Sequence, residues 1–186
     1  MSDKMEFFKE AMQNLKTVGT LAHSSKSAVK RMLEPIDFAK ADFIVEFGAG
    51  NGNITKELLS KMKKNSTLLC FEFNDKFCLA LREINDVRLH VIEDSASKLG
   101  KYLEKFGQSK ADHIVSALPL VVLPKELYTE VLDQVNEHLD VSGFFTQIQY
   151  SLTSRKELKR RFKDLDTKFI PGNLPPAVVY VCQGKA

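Results

Sequence analysis

Glu46, Gly48, Gly50 and Gly52 stand in the stretch Glu-Phe-Gly-Ala-Gly-Asn-Gly, directly after an apolar run from Phe43 to Val45. Glycine is required where the backbone takes a positive φ, or where it comes so close to a ligand that a Cβ would clash. A helical pattern through Ile54, Leu58, Leu59 and Met62 follows at once, so the chain reads as strand, tight turn, helix. This is a nucleotide-binding turn. A dinucleotide fingerprint wants a third small residue one turn into the helix, beneath a pyrophosphate, and Asn53 holds that place. An acid before the glycines would repel a pyrophosphate and suits a ligand with a cationic amino-acid end and no phosphate. After a second apolar run, Thr67 to Phe71, comes Glu72, twenty residues beyond Gly52 and placed to accept hydrogen bonds from both hydroxyls of a ribose.

The pattern of an acid followed by three alternating glycines resembles the first motif of the S-adenosylmethionine (AdoMet) dependent methyltransferases. A third apolar run ends in Glu93-Asp94-Ser95-Ala96. There Asp94 can accept from an adenine amino group while a backbone N–H, that of Ser95, faces a ring nitrogen; capping of the next helix is the blander use of the same residues. A fourth run ends in Ser116-Ala117-Leu118-Pro119-Leu120. Methyltransferases acting on a base amino group place an Asn or Asp, then Pro and an aromatic, at this point, where amide and main-chain carbonyl hold the amine and the aromatic stacks the base. Ser116 and Leu120 stand in their places, which disfavours a base.

The elements that position these residues alternate. Strands are expected near 43–47, 67–72, 87–92, 112–117 and 143–150, with helices near 52–64, 74–85, 97–106 and 124–139. Strands separated by helical crossovers imply a parallel sheet covered on both faces, with ligands beyond the carboxyl ends of the strands. Ser24 and Ser25 can cap a helix from about Lys26 to Leu33, and the run Ala177 to Cys182 predicts a final strand antiparallel to the fifth. Met5, Phe8, Met12, Leu15 and Val18 recur at helical spacing, so residues 1–34 are read as an amino-terminal helical segment, a lid or membrane contact, ahead of a domain over 35–186. From Arg155 to Lys168, Leu158, Phe162 and Leu165 form an apolar stripe amid seven Lys or Arg and three acids. That segment is either a solvated helix face or an anion-seeking surface.

The whole chain, 186 residues with 44 % hydrophobic residues and a formal net charge of +3, has the material for one ordinary domain and too little charge to imply nucleic-acid binding by itself. Cys70, Cys78 and Cys182 form no C-x-x-C pair and read as reduced core residues of a cytoplasmic protein. The four histidines lack ligand spacing, so no metal is expected. No apolar run approaches the roughly 18 residues of a membrane span, which leaves a soluble protein or one resting on the inner membrane surface. No feature specifies an oligomeric state.

Leu21 to Ser25, the turn Glu46 to Gly52, Ser116 to Leu120, Gln147 to Tyr150 and Asn173-Leu174-Pro175-Pro176-Ala177 together resemble the bacterial phospholipid N-methyltransferases, which convert phosphatidylethanolamine stepwise towards phosphatidylcholine. The resemblance runs from about Val18 to Val181, and a proline is usual where His23 stands. It implies a class I, Rossmann-like α/β fold: a mostly parallel seven-stranded sheet with an antiparallel last strand and helices on both faces. It implies AdoMet as cofactor, held by Glu46, Gly48, Gly50, Gly52, Glu72, Asp94, Ser95 and Ser116. Leu118, Pro119 and Leu120 would wall the acceptor amine, Arg155 would join the substrate contacts, Tyr150 would orient the head group through its phosphate, and His23 is a weaker candidate as proton acceptor. The partner implied is an anionic phospholipid surface, with no DNA and with RNA disfavoured. The ribosomal-RNA adenine dimethylases are similar over the first half, so N6-methylation of RNA adenine is the enzymatic alternative, and a non-catalytic AdoMet-binding protein the other.

Overall fold

A computed structural model describes residues 25–185. The amphipathic stripe from Met5 to Val18, the expected lid segment as far as residue 24, and His23 lie outside the described residues.

Short apolar runs and intervening amphipathic helices build one seven-stranded sheet. In chain order the elements are α1 (Lys26–Leu33), β1 (Phe43–Phe47), α2 (Asn53–Lys61), β2 (Thr67–Phe71), α3 (Asp75–Arg82), β3 (Leu89–Ile92), α4 (Leu99–Lys105), β4 (Ala111–Ser116), α5 (Lys125–His138), β5 (Leu139–Gln149), α6 (Arg155–Arg161), β6 (Asp164–Ile170) and β7 (Ala177–Gln183). The strands lie in the order β3-β2-β1-β4-β5-β7-β6. β1 pairs in parallel with both β2 and β4, β4 pairs in parallel with β5, and β7 is antiparallel to both β5 and β6. Only β7 therefore runs against the rest, which is the expected seven-stranded, mostly parallel architecture. Chain order reverses between β1 and β4, and ligands of open α/β sheets bind at that switch point, beyond the carboxyl ends.

Strand alternation divides the core. Phe43, Val45 and Phe47 point to the face covered by α4, α5 and α6, whereas Ile44 points to the face covered by α1 and α2. Ala28, Val29, Met32 and Leu33 of α1 are buried in that second core. Residues 26–33 thus pack into the domain's own core, each large side chain worth about 1.5–3 kcal/mol of burial. All three cysteines are buried and unpaired.

One expectation is corrected. The stripe through Leu158, Phe162 and Leu165 is not a single helical face, because α6 stops at Arg161, Phe162 is already extended (φ −102°, ψ 160°), and Leu165 and Lys168 belong to β6. Pairing of Asp164–Ile170 with β7 overrides the helical spacing. The three apolar side chains still reach one core, where Phe162 stacks on Phe145 at 5.6 Å. No helix among the described residues is long and apolar enough to cross a membrane.

Candidate active site

The glycine turn leaves β1 and enters α2. Gly48 donates its N–H to the Phe71 carbonyl at 2.8 Å, tying the turn to the end of β2. Gly48 (φ 73°) and Gly50 (φ 56°) occupy the left-handed region. A Cβ on Gly48 would stand 3.1 Å from Leu118 Cδ2 and 3.3 Å from the Leu118 nitrogen, so this glycine lets the post-β4 segment come close. A Cβ on Gly50 would meet nothing within 4 Å, so here the backbone itself faces open space.

Glu72, just past β2, is 7 % exposed. Its Oε2 accepts from the Gly50 N–H at 2.8 Å, and its Oε1 accepts from the N–H groups of Phe73 and Asn74 at 2.8 Å each. These bonds hold the carboxylate rigid beside the glycine turn. Of roughly four acceptor positions on a carboxylate, three are taken, which leaves capacity for one ligand hydroxyl rather than the two expected from sequence.

Glu46 lies elsewhere than expected. The period of two in β1 turns it to the same face as Ile44, beneath α2, where it is fully buried. Its Oε2 accepts from Thr55 Oγ1 at 2.7 Å and from Cys70 Sγ at 3.3 Å, while Oε1 has no hydrogen-bond partner among the described residues. Burial pushes its pKa up to about 7, against the opposing hydrogen bonds of Thr55 and Cys70. Glu46 therefore supports the turn from below and is not an open carboxylate at its rim.

At the end of β3, burial works against ionisation of Asp94. It is outweighed by bonds from Lys98 Nζ (2.7 Å), the Ser95 N–H (2.7 Å) and the Tyr102 hydroxyl (2.9 Å), so the pKa is lowered. The Ser95 N–H is spent on Asp94 rather than presented to a ring nitrogen, and the Ser95 hydroxyl accepts from the Ser97 N–H, capping a short turn. Asp94 and the polar edge around it stay at the site; Ser95 acts by positioning. Ser116 is fully buried, and its hydroxyl accepts from the Leu118 N–H at 3.3 Å, which shapes the segment after β4 instead of reaching a ligand. Leu118 and Leu120 are also buried, in the core under α5, and only Pro119 of the expected apolar wall is partly exposed.

Sequence reasoning assigned no role to Gln147 and Gln149. Both are buried on β5, and the Nε2 of each donates to the Leu118 carbonyl at 2.9 Å. The Leu120 N–H donates to the same carbonyl at 2.8 Å, so its two lone pairs are already engaged. The signal was present as two amides on either side of Ile148, at alternate positions where the strand ends. Tyr150, one residue past β5, is 39 % exposed. Burial of its ring raises the pKa while a hydrogen bond with the Asn173 side chain lowers it; the net shift is upward. Asn173 also accepts from the Ser25 N–H at 2.9 Å and donates to the Pro175 carbonyl at 2.8 Å, so it joins the start of α1, the β6–β7 loop and Tyr150. Arg155 is exposed at the start of α6.

These residues fit AdoMet. The glycine turn gives close backbone approach, Glu72 is a preorganised acceptor for a ribose hydroxyl, and Asp94 is an ionised acceptor at the next strand end.

No protein-family model matches the chain. It is 33 % identical over 187 residues to the ornithine lipid N-methyltransferase of Singulisphaera acidiphila, covering 99 % of this chain and 97 % of that protein. Its fold is similar to that of a 1,6-didemethyltoxoflavin-N1-methyltransferase from Burkholderia thailandensis, solved with S-adenosylhomocysteine (TM-score 0.69, 14 % identity, 98 % of this chain and 87 % of that one). It is also similar to a putative rRNA-methylase from Clostridium thermocellum (TM-score 0.63, 19 % identity, 89 % of this chain and 98 % of that one). With the whole length of the chain matched and the turn, the paired acid and the sheet order all in place, the protein is an AdoMet-dependent methyltransferase and belongs to the family of the ornithine lipid N-methyltransferase.

Proposed function

We propose that the protein N-methylates the primary amine of a membrane aminolipid, one whose head group carries an anion a few bonds from the nitrogen. Ornithine lipid, with a carboxylate, and phosphatidylethanolamine, with a phosphate, share that chemistry. The likeness over the full chain to an ornithine lipid N-methyltransferase supports ornithine lipid; the resemblance of the Ser-Ala-Leu-Pro-Leu and Asn-Leu-Pro-Pro-Ala segments to phospholipid N-methyltransferases supports phosphatidylethanolamine. The observation that carries the reading against a nucleic-acid base is the Leu118 carbonyl, already saturated by Gln147 and Gln149. A base amino group would need that acceptor, and Leu120 is buried where a stacking aromatic would stand.

AdoMet, when bound, supplies an electrophilic methyl group. The chain's part is to align the acceptor nitrogen's lone pair behind it at near-contact distance. Tyr150, held by Asn173, orients the head-group anion, and Arg155 attracts it. The amine arrives as an ammonium and loses a proton first, which removal from water favours by lowering its pKa. No N–H of the amine is gripped by Leu118, so a singly methylated nitrogen meets the same surroundings as an unmethylated one.

The test is transfer of labelled methyl from AdoMet to vesicles containing ornithine lipid, to vesicles containing phosphatidylethanolamine and to structured RNA in parallel. Label in either lipid is expected, and the better acceptor fixes the anion; label in RNA alone contradicts the reading.

A further inference from the structure

Nine large apolar side chains are exposed among the described residues, and six of them, Val121, Val122, Tyr150, Leu152, Phe169 and Leu174, belong to loops and strand ends at the carboxyl edge of β4, β5 and β6. Single exposed apolar residues are ordinary; their gathering at one edge of a sheet points to an interaction surface. Val121 and Val122 follow the carboxyl end of β4, Tyr150 and Leu152 follow that of β5, and Phe169 is the penultimate residue of β6. The pairing of Gln149 with Val178 and of Ile170 with Ala177 brings the β6–β7 loop, with Leu174, to this same edge.

The loops are held, and they hold their leucines outward. Asn173 is 2 % exposed with its amide bonded on both sides, whereas Leu174 beside it is 86 % exposed. The Tyr180 hydroxyl donates to the Ser151 carbonyl at 3.1 Å, the Arg155 N–H to the Leu152 carbonyl at 3.0 Å, and Leu152 is 59 % exposed. Next to Leu152 lies an open hollow of about 930 Å³ lined in part by Arg155, Lys156 and Lys159. Those three cations make no ion pair among the described residues, in contrast to Arg160 and Arg161, which are neutralised by Glu157 and Asp133.

We propose that this apolar rim and its flanking cations form a docking face for an anionic lipid bilayer, with Leu152 and Leu174 entering the head-group boundary and Arg155, Lys156 and Lys159 meeting lipid anions. Apolar tips among free cations are complementary to that surface, since burial of apolar area and electrostatic attraction to anionic lipid act together. The glycine turn and Glu72 lie at the same edge of the sheet, so the docked enzyme faces its cofactor site toward the bilayer and a head group reaches it without the lipid leaving the membrane. This deepens the reading of a lipid acceptor and rests on it, and the two can fail separately.

The test is partition of the full chain onto vesicles of phosphatidylglycerol in phosphatidylcholine, which contain no primary amine, compared with phosphatidylcholine alone. The wild type should prefer the anionic vesicles and be released by salt. The double variant Leu152→Glu/Leu174→Glu should lose about tenfold or more of that partition with an unchanged melting temperature. Val87→Glu, at a site 91 % exposed before β3, should keep it. Wild-type partition by the double variant, equal binding to neutral and anionic vesicles, or capture of structured RNA in place of vesicles would each overturn the docking face. Methyl transfer to lipid alongside undiminished binding of the double variant would overturn this inference alone, whereas loss of binding without any lipid methylation would leave the face standing and remove the lipid acceptor.

Discussion

Glu46 illustrates how much a residue's type says and how much its direction adds. The acid before the glycines was legible in the sequence; that it points beneath the turn follows from strand alternation, which groups it with Ile44 and not with Phe47. Its folded pKa of about 7 lies above the ordinary glutamate value of 4.5, so its contribution to stability is fully present below 4.5 and is lost as pH rises through 7. Across that window the loss amounts to about 3 kcal/mol. Glu46→Gln removes the titration while keeping an oxygen for Thr55 and Cys70. Urea midpoints of the cofactor-free proteins should therefore diverge in favour of the variant between pH 5 and pH 8, and parallel pH profiles would contradict a buried, titrating Glu46. Ser116 and Ser95 were legible as polar residues at strand ends but not as groups already spent on their own loops, because a hydroxyl's local partners depend on the loop's path.

At the scale of elements, the strands and helices around the turn follow from apolar periodicity, since each strand is short, buried and bounded by polar turns. The stretch from Arg155 to Ile170 does not. Its helical spacing continues by coincidence past Arg161, and what ends the helix is a long-range ladder with β7 that no local pattern announces. Asn173 is a further case of an element fixed at a distance, since one amide ties the first residue of the α1 cap to the β6–β7 loop and to Tyr150. Asn173→Ala leaves these groups without their partner. It should lower stability by about 1–3 kcal/mol and reduce lipid methylation, with cofactor affinity retained. Unchanged turnover in the folded variant would remove Tyr150's orientation from the account.

For the molecule as a whole, the alternation of strands and helices was enough to place a ligand at the carboxyl edge, and the strand order puts the glycine turn at the β1/β4 reversal where such a ligand belongs. The apolar rim of that edge was not legible, because Val121, Leu152, Phe169 and Leu174 come from separate loops and strands that only the fold assembles. Everything proposed of the acceptor depends on AdoMet lying against Glu72 and the glycines. The most direct measurement is calorimetric titration of S-adenosylhomocysteine into the wild type and into Glu72→Ala, with melting curves to establish that the variant is folded. Removing a buried, hydrogen-bonded carboxylate placed to accept from a ligand hydroxyl should cost about 2–3 kcal/mol, a loss of roughly a hundredfold in affinity. A folded variant that binds as the wild type does would contradict the site described here.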